Sequence, residues 1–162
     1  MENITISFSD SKLLYRIKHG GGKKQMLAKA CALEHLKNPS QALRRLAACV
    51  RPDGKILISV PNVAHLYVRF MLLVGQWNYT DRGILDRTHL HFFTRKTFRA
   101  FLEKSGLNVK RIKPIVIPWN ELFHSAGLVS FFTKLNQILN RLLPTWFAYQ
   151  WVAVAEKENS SV

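Results

Sequence analysis

Acidic residues are scarce in this chain. Ten Asp and Glu stand against 24 Lys and Arg over 162 residues, a formal charge of +14 at neutral pH. Such a surplus disfavours cationic partners and favours phosphate, in a nucleic acid or at an anionic membrane surface, without bearing on fold. It is spread thinly, as Lys23-Lys24, Arg44-Arg45, Arg95-Lys96 and Lys110-Arg111-Lys113. No block of five or six like charges occurs, so these groups read as solvated faces and nucleic acid is the less expected partner. Cysteine is nearly absent too. Cys31 and Cys49 lack Cys-x-x-Cys spacing, which points to free thiols in a reducing, cytoplasmic setting. Long apolar runs are missing: Val63 to Trp77 is short and interrupted by Arg69, below the roughly 20 residues a spanning helix needs. It reads as a cover helix or as an interfacial segment in peripheral contact with a membrane. The opening MENITISFSD has no basic-then-apolar order of a secretory signal.

What is present describes a globular chain of one domain, with 48% hydrophobic and 21% charged residues. Residues 1–31 give little pattern: Ile4, Ile6 and Phe8 alternate like a short strand, Ser11 to His19 could be a short helix, and Gly20-Gly21-Gly22 breaks regular structure. Gln25 to Leu36 has helix-forming composition. The next signals are sharper. Asn38 can cap a helix that Pro39 opens, with Leu43, Leu46, Ala47 and Val50 on one stripe and Pro52 and Asp53-Gly54 ending it. KILISV (Lys55 to Val60) reads as a strand covered on both faces, closed by Pro61. Helix, tight turn and buried strand make half of a βαβ unit, hence an α/β fold. Thr94 or Thr97 can cap a helix carrying Phe98, Phe101 and Leu102, with Gly106 as its stop. A strand Leu107 to Ile112 ended by Pro114, an amphipathic helix over Glu121 to Leu143 closed by Pro144, and a strand Phe147 to Ala155 follow. The tail 158–162 is polar. There is no internal repeat.

Several polar residues sit where an α/β sheet would open a ligand crevice, at the carboxyl ends of its strands. Glu34 and His35 precede the Asn38 helix; the pair could hold a cofactor hydroxyl, act as acid and base, ligate a metal, or merely cap and salt-bridge at the surface. Asn62, directly after the buried strand, reads as a polar residue of the pocket floor or as a turn-former after Pro61. Trp77 and Tyr79 read as an acceptor-site wall or as packing.

The run ALEHLKNPSQALRRLAACVRPDGKILISVPN, the phrase GILDRTHLHFFTRKTFRAFLEKSGL and the final FAYQWVAVAEK come in an order that resembles the class I S-adenosylmethionine (SAM) dependent methyltransferases. The resemblance spans Ala32 to Lys157. It implies the C-terminal half of a Rossmann-like αβα sheet, from after the fourth strand through the terminal antiparallel strand, with a helical insert at 120–143. It also implies SAM as cofactor, with Glu34, His35 and Asn62 on the cofactor side. Asp86 and His89 then fall on the acceptor side, His89 as a general base, whereas His91 reads as a core residue beside Phe92 and Phe93. Asp86 could instead pair with Arg82 or Arg87. In metal-using relatives an acidic residue three before the Glu, the Glu, the His and a later His chelate a divalent ion. Here Cys31 holds the first of those places, which weakens a magnesium reading, and no metal is assigned.

The front half that would supply a glycine-rich cofactor loop and a ribose-binding acid is not recognisable; Gly20-Gly21-Gly22 follows LLYRIKH, a poor match. The expectation is a truncated methyltransferase domain, or one piece of a split one, with an open apolar sheet edge. Its reaction would be methyl transfer from SAM to a small-molecule, lipid or sugar acceptor. Two other functions remain open: a non-catalytic remnant or partner subunit that self-associates or meets a complementing chain through that edge, and a basic protein of membrane surfaces or nucleic acid.

Overall fold

A computed structural model describes residues 18–19, 26–31, 33–51, 54–117 and 126–158, the first two stretches by backbone alone. Readings on 1–17, 20–25, 52–53, 118–125 and 159–162, including the Ile4–Phe8 strand, the glycine cluster and the Asp53-Gly54 turn, lie wholly or partly outside the described residues.

Strand β1 (Lys18–His19) pairs antiparallel with β2 (Met26–Cys31), and β2 runs parallel to β3 (Lys55–Pro61). The helix expected over Gln25 to Leu36 is therefore a strand followed by a 3-10 turn, Leu33–His35. Met, Leu, Ala and Lys favour helices weakly, and pairing with β3 overrides that preference. Likewise, His19 belongs to β1 and not to a helix.

Helix α1 (Pro39–Cys49) forms the crossover between β2 and β3. Asn38 holds the N-cap position but its side chain makes no cap bond; its backbone carbonyl accepts from Ala42. Leu43, Leu46 and Val50 bury the predicted stripe. On β3 the alternate residues Ile56, Ile58 and Val60 are buried, whereas Leu57 and Ser59 are only half-buried, so cover is complete on one face alone.

Helix α2 (Leu66–Leu73) follows, then α3 (Arg95–Lys104). Thr94 caps α3 through a reciprocal box with Thr97, and Gly106 takes φ 81°, the left-handed stop that a Cβ would strain. β4 (Leu107–Ile115) runs through Pro114 instead of ending before it. β4 is an edge strand, where a missing N–H is tolerated. Between β4 and the last strand lie α4 (Ala126–Leu142) and α5 (Pro144–Phe147), so Pro144 opens a short helix as well as closing a long one. β5 (Gln150–Lys157) begins three residues later than expected.

The sheet order is β1-β2-β3-β5-β4, with β5 antiparallel to both its neighbours. This is the α/β, Rossmann-like arrangement that the resemblance implied, its last strand inserted antiparallel beside β3. Leu43 and Leu46 of α1 join Phe98 and Leu102 of α3 in one core with Ile56, Ile58, Trp151 and Ala153 of the sheet. A smaller cluster of Val68, Ile84 and Leu85 lies under Trp77, Phe92 and Tyr149.

Candidate functional site

The 3-10 turn Leu33–His35 leaves the C-terminal end of β2, one of the two parallel strands. Leu33 is fully buried and anchors the turn in the core. The Glu34 carbonyl accepts hydrogen bonds from the backbone N–H groups of Leu90 (2.7 Å) and His91 (3.1 Å), which staples the loop after α2 onto the turn. Two segments more than fifty residues apart are thus joined through their backbones, and their side chains converge.

Glu34, His35 and His89 offer one ligand atom each, all within 4.8 Å of one another. His89 Nε2 stands 3.9 Å from Glu34 Oε1, and the two imidazole rings meet edge to face at 4.7 Å. Each ring is oriented from its far side. His89 Nδ1 donates to the Ile84 carbonyl at 3.1 Å. His35 Nδ1 lies 2.9 Å from Thr88 Oγ1 and 3.2 Å from the Thr88 carbonyl. Thr88 Oγ1 gives its own proton to Asp86 Oδ1 at 2.6 Å, which leaves it to accept from His35. His89 carries a proton on Nδ1, given to Ile84, and turns Nε2 toward Glu34; His35 donates from Nδ1 to Thr88.

The electrostatics follow from burial. Glu34 is 7% exposed, Oε2 has no partner, and desolvation holds its pKa above the ordinary carboxylate value despite the opposing backbone bond and His35. Desolvation likewise lowers the pKa of His89, outweighing the Ile84 bond, so the ring is neutral at neutral pH. Asp86 is pulled down by its two hydrogen bonds from Thr88.

Sequence reasoning placed Glu34 and His35 with a cofactor and His89 and Asp86 with the acceptor; the structure joins Glu34, His35 and His89 in one cluster. Asp86 stands behind it, orienting His35 through Thr88, and it is Asp81 that pairs with Arg87, at 2.7 Å. Thr88 was missed, although Asp86-Arg87-Thr88 is the pattern of an Asx turn and could have revealed it. Asn62 is 0% exposed, donates from Nδ2 to the carbonyls of Ala148 (2.8 Å) and Thr145 (3.3 Å), and accepts at Oδ1 from Ala64 N–H. Its polar atoms are engaged by backbone, so it clasps chain segments. His91 donates from Nε2 to the Leu36 carbonyl, a structural role as expected. Trp77 packs edge-on against Phe92 and Tyr79.

A family model described as a methyltransferase domain matches residues 31–112, just over half of the chain. Among solved structures, the small RNA methyltransferase HEN1 aligns with 13% identity and a TM-score of 0.48, covering 86% of this chain and 14% of its own. A SAM dependent methyltransferase from Archaeoglobus fulgidus aligns with 19% identity and a TM-score of 0.45, covering 80% of this chain and 58% of its own. The chain thus spans less than two thirds of either. No curated protein matches.

Proposed function

This chain belongs to the methyltransferase-domain family, and we propose that its described residues build the acceptor side of a site for methyl transfer from SAM. The observation that supports this reading is the gathering of His35 and His89 about the buried Glu34 carboxylate, with His89 Nε2 3.9 Å from Oε1. SAM, when bound, supplies an electrophilic methyl on a sulfonium. An acceptor hydroxyl or amine attacking that methyl must lose its proton, and His89 Nε2 would receive it. Glu34 beside it would stabilise the imidazolium so formed. His35, fixed through Thr88 and Asp86, would hold the acceptor by a hydrogen bond to its own Nε2. The described residues do not by themselves cradle SAM, because Asn62 is engaged elsewhere and the glycine cluster lies outside them.

A second reading has its own support. An unpaired buried Glu34 oxygen and two imidazoles whose Nδ1–H groups are already held make a donor set fit for a divalent ion. Two nitrogens and one carboxylate suit zinc, iron or cobalt better than magnesium. Such an ion would acidify an acceptor hydroxyl. The side chain of Cys31 lies outside the description.

One preparation tests both. The chain is incubated with methyl-labelled SAM and fractionated small-molecule, sugar and lipid extracts, then titrated calorimetrically with zinc. His89→Ala should lower label transfer by about 100- to 10,000-fold. Wild type that transfers no label to any fraction contradicts the transfer reading. Thr88→Val should weaken zinc binding by about 10- to 100-fold; zinc binding that is absent, or indifferent to Thr88 and His89, removes the ion.

A further inference from the structure

Helix α4 leaves much apolar surface exposed for a globular protein. Its inward side carries Asn136 and Asn140, both buried, and Asn140 Nδ2 donates to Asn136 Oδ1 (2.8 Å), Asn136 O (3.0 Å) and the Phe147 carbonyl (3.1 Å). That grip on α5 fixes the rotation of α4. Its outward stripe is Leu128, Phe131, Leu135, Ile138 and Leu142, all exposed, Leu142 by 71%. Across a groove of about 500 Å³ stands α2, equally apolar, with Phe70 and Leu72 exposed and Leu73 exposed by 83%. Leu66, Tyr67 and Phe70 from one helix and Phe132, Leu135 and Leu139 from the other line the groove, so exposed apolar residues of both helices meet across it. Patches of this extent on a single chain mark an interaction surface.

The charge beside the patch has one sign. Neither α2 nor α4 contains an Asp or Glu, and Arg69, Lys134 and Arg141 on these helices are all exposed. Arg69 lies over the ring of Trp146, 4.3 Å from its centroid, pairing an amphipathic aromatic with a cation at the rim. No helix among the described residues is long and apolar enough to cross a membrane.

We propose that α2 and α4 seat the protein on an anionic lipid bilayer, their apolar side chains entering the headgroup–acyl boundary while Arg69, Lys134 and Arg141 meet lipid phosphates. A second copy of the chain is the poorer occupant. The stripe on α4 has heptad spacing, but the flanking charges, Lys134 and Arg141, find no acidic complement on the same helix of a partner. An anionic surface offers that complement along the whole patch.

The test is co-sedimentation of the full chain with phosphatidylglycerol–phosphatidylcholine vesicles and with phosphatidylcholine alone, at low and high salt. Wild type should partition onto the anionic vesicles at least about tenfold better, and less so as salt rises. Leu73→Glu/Ile138→Glu should lose that binding by about tenfold or more while keeping the far-ultraviolet spectrum, because both sites are exposed. Leu73→Ser/Ile138→Ser is the milder pair, should the first fail to fold. Lys134→Gln/Arg141→Gln should weaken binding to anionic vesicles only. Absence of vesicle binding, or equal binding by the Glu pair, overturns the proposal. So does a dimer in light scattering that the Glu pair splits and vesicles ignore.

Discussion

Asn62→Ala should cost about 2–4 kcal/mol of stability, because the buried Ala148 carbonyl, the part-buried Thr145 carbonyl and the Ala64 N–H lose their partner and a small cavity opens. In a chain of this size that lowers Tm by roughly 5–15 °C. The position explains the size of the effect. Beyond its side-chain bonds to the Ala148 and Thr145 carbonyls and to Ala64, the Asn62 backbone N–H donates to the Tyr149 carbonyl, and the residue bridges to Phe93. One residue thus ties the end of β3 to the approaches of β5 and α3. Asn62→Asp should be at least as damaging, since a carboxylate oxygen would face the Ala148 carbonyl where an N–H now points. Thermal melts of the three proteins check this. If both variants melt like wild type and only ligand affinity changes, Asn62 is a pocket residue after all.

Glu34→Gln should have the opposite sign. Burial raises the Glu34 pKa from its ordinary 4.5, so the folded state holds that proton more tightly than the unfolded one. The resulting stability is fully present below the unfolded value and is lost as pH rises through the folded one. At pH 8 the carboxylate is ionised in both states and carries the whole burial cost. Glutamine keeps the shape without the charge, and should gain about 1–2 kcal/mol there, a few degrees of Tm, with the gain vanishing near pH 4. His89 and His65, whose pKa values burial lowers, act at the other end: stability falls as pH drops from the unfolded value of 6.5 through their folded ones. Melts of both proteins with chelator present, across this range, provide the check. A Glu34→Gln protein less stable at pH 8 would mean that the carboxylate is held by a structural ion pair. The expected gain in stability with loss of label transfer is the usual mark of a strained working residue.

Helix α1 is legible in the Leu43–Val50 stripe, α3 in Thr94 and Gly106, and β3 in its aliphatic run, because each depends on neighbours in the chain. β2 was misread because MLAKAC favours a helix in isolation and becomes a strand only by pairing with β3. Pro114 was misread because its tolerance depends on β4 being an edge, a property of sheet order. Among the site residues, His89 is brought to Glu34 by long-range pairing, the Leu90 and His91 N–H groups on the Glu34 carbonyl, that no local pattern discloses. Asn62 shows how little residue type alone decides: a polar side chain after a strand fits a pocket floor and a buried clasp equally well, and only the approach of Ala148 selects between them.

The working cluster can be read directly in solution by long-range proton–nitrogen correlation spectra of histidine-labelled protein at pH 7. The imidazole assigned to His89 by its alanine variant should appear as a neutral ring protonated on Nδ1, and zinc should shift its Nε2 signal while sparing His91. A His89 ring found charged, or protonated on Nε2, would turn a hydrogen toward Glu34 in place of a lone pair, and the proposed base and ligand would both be gone.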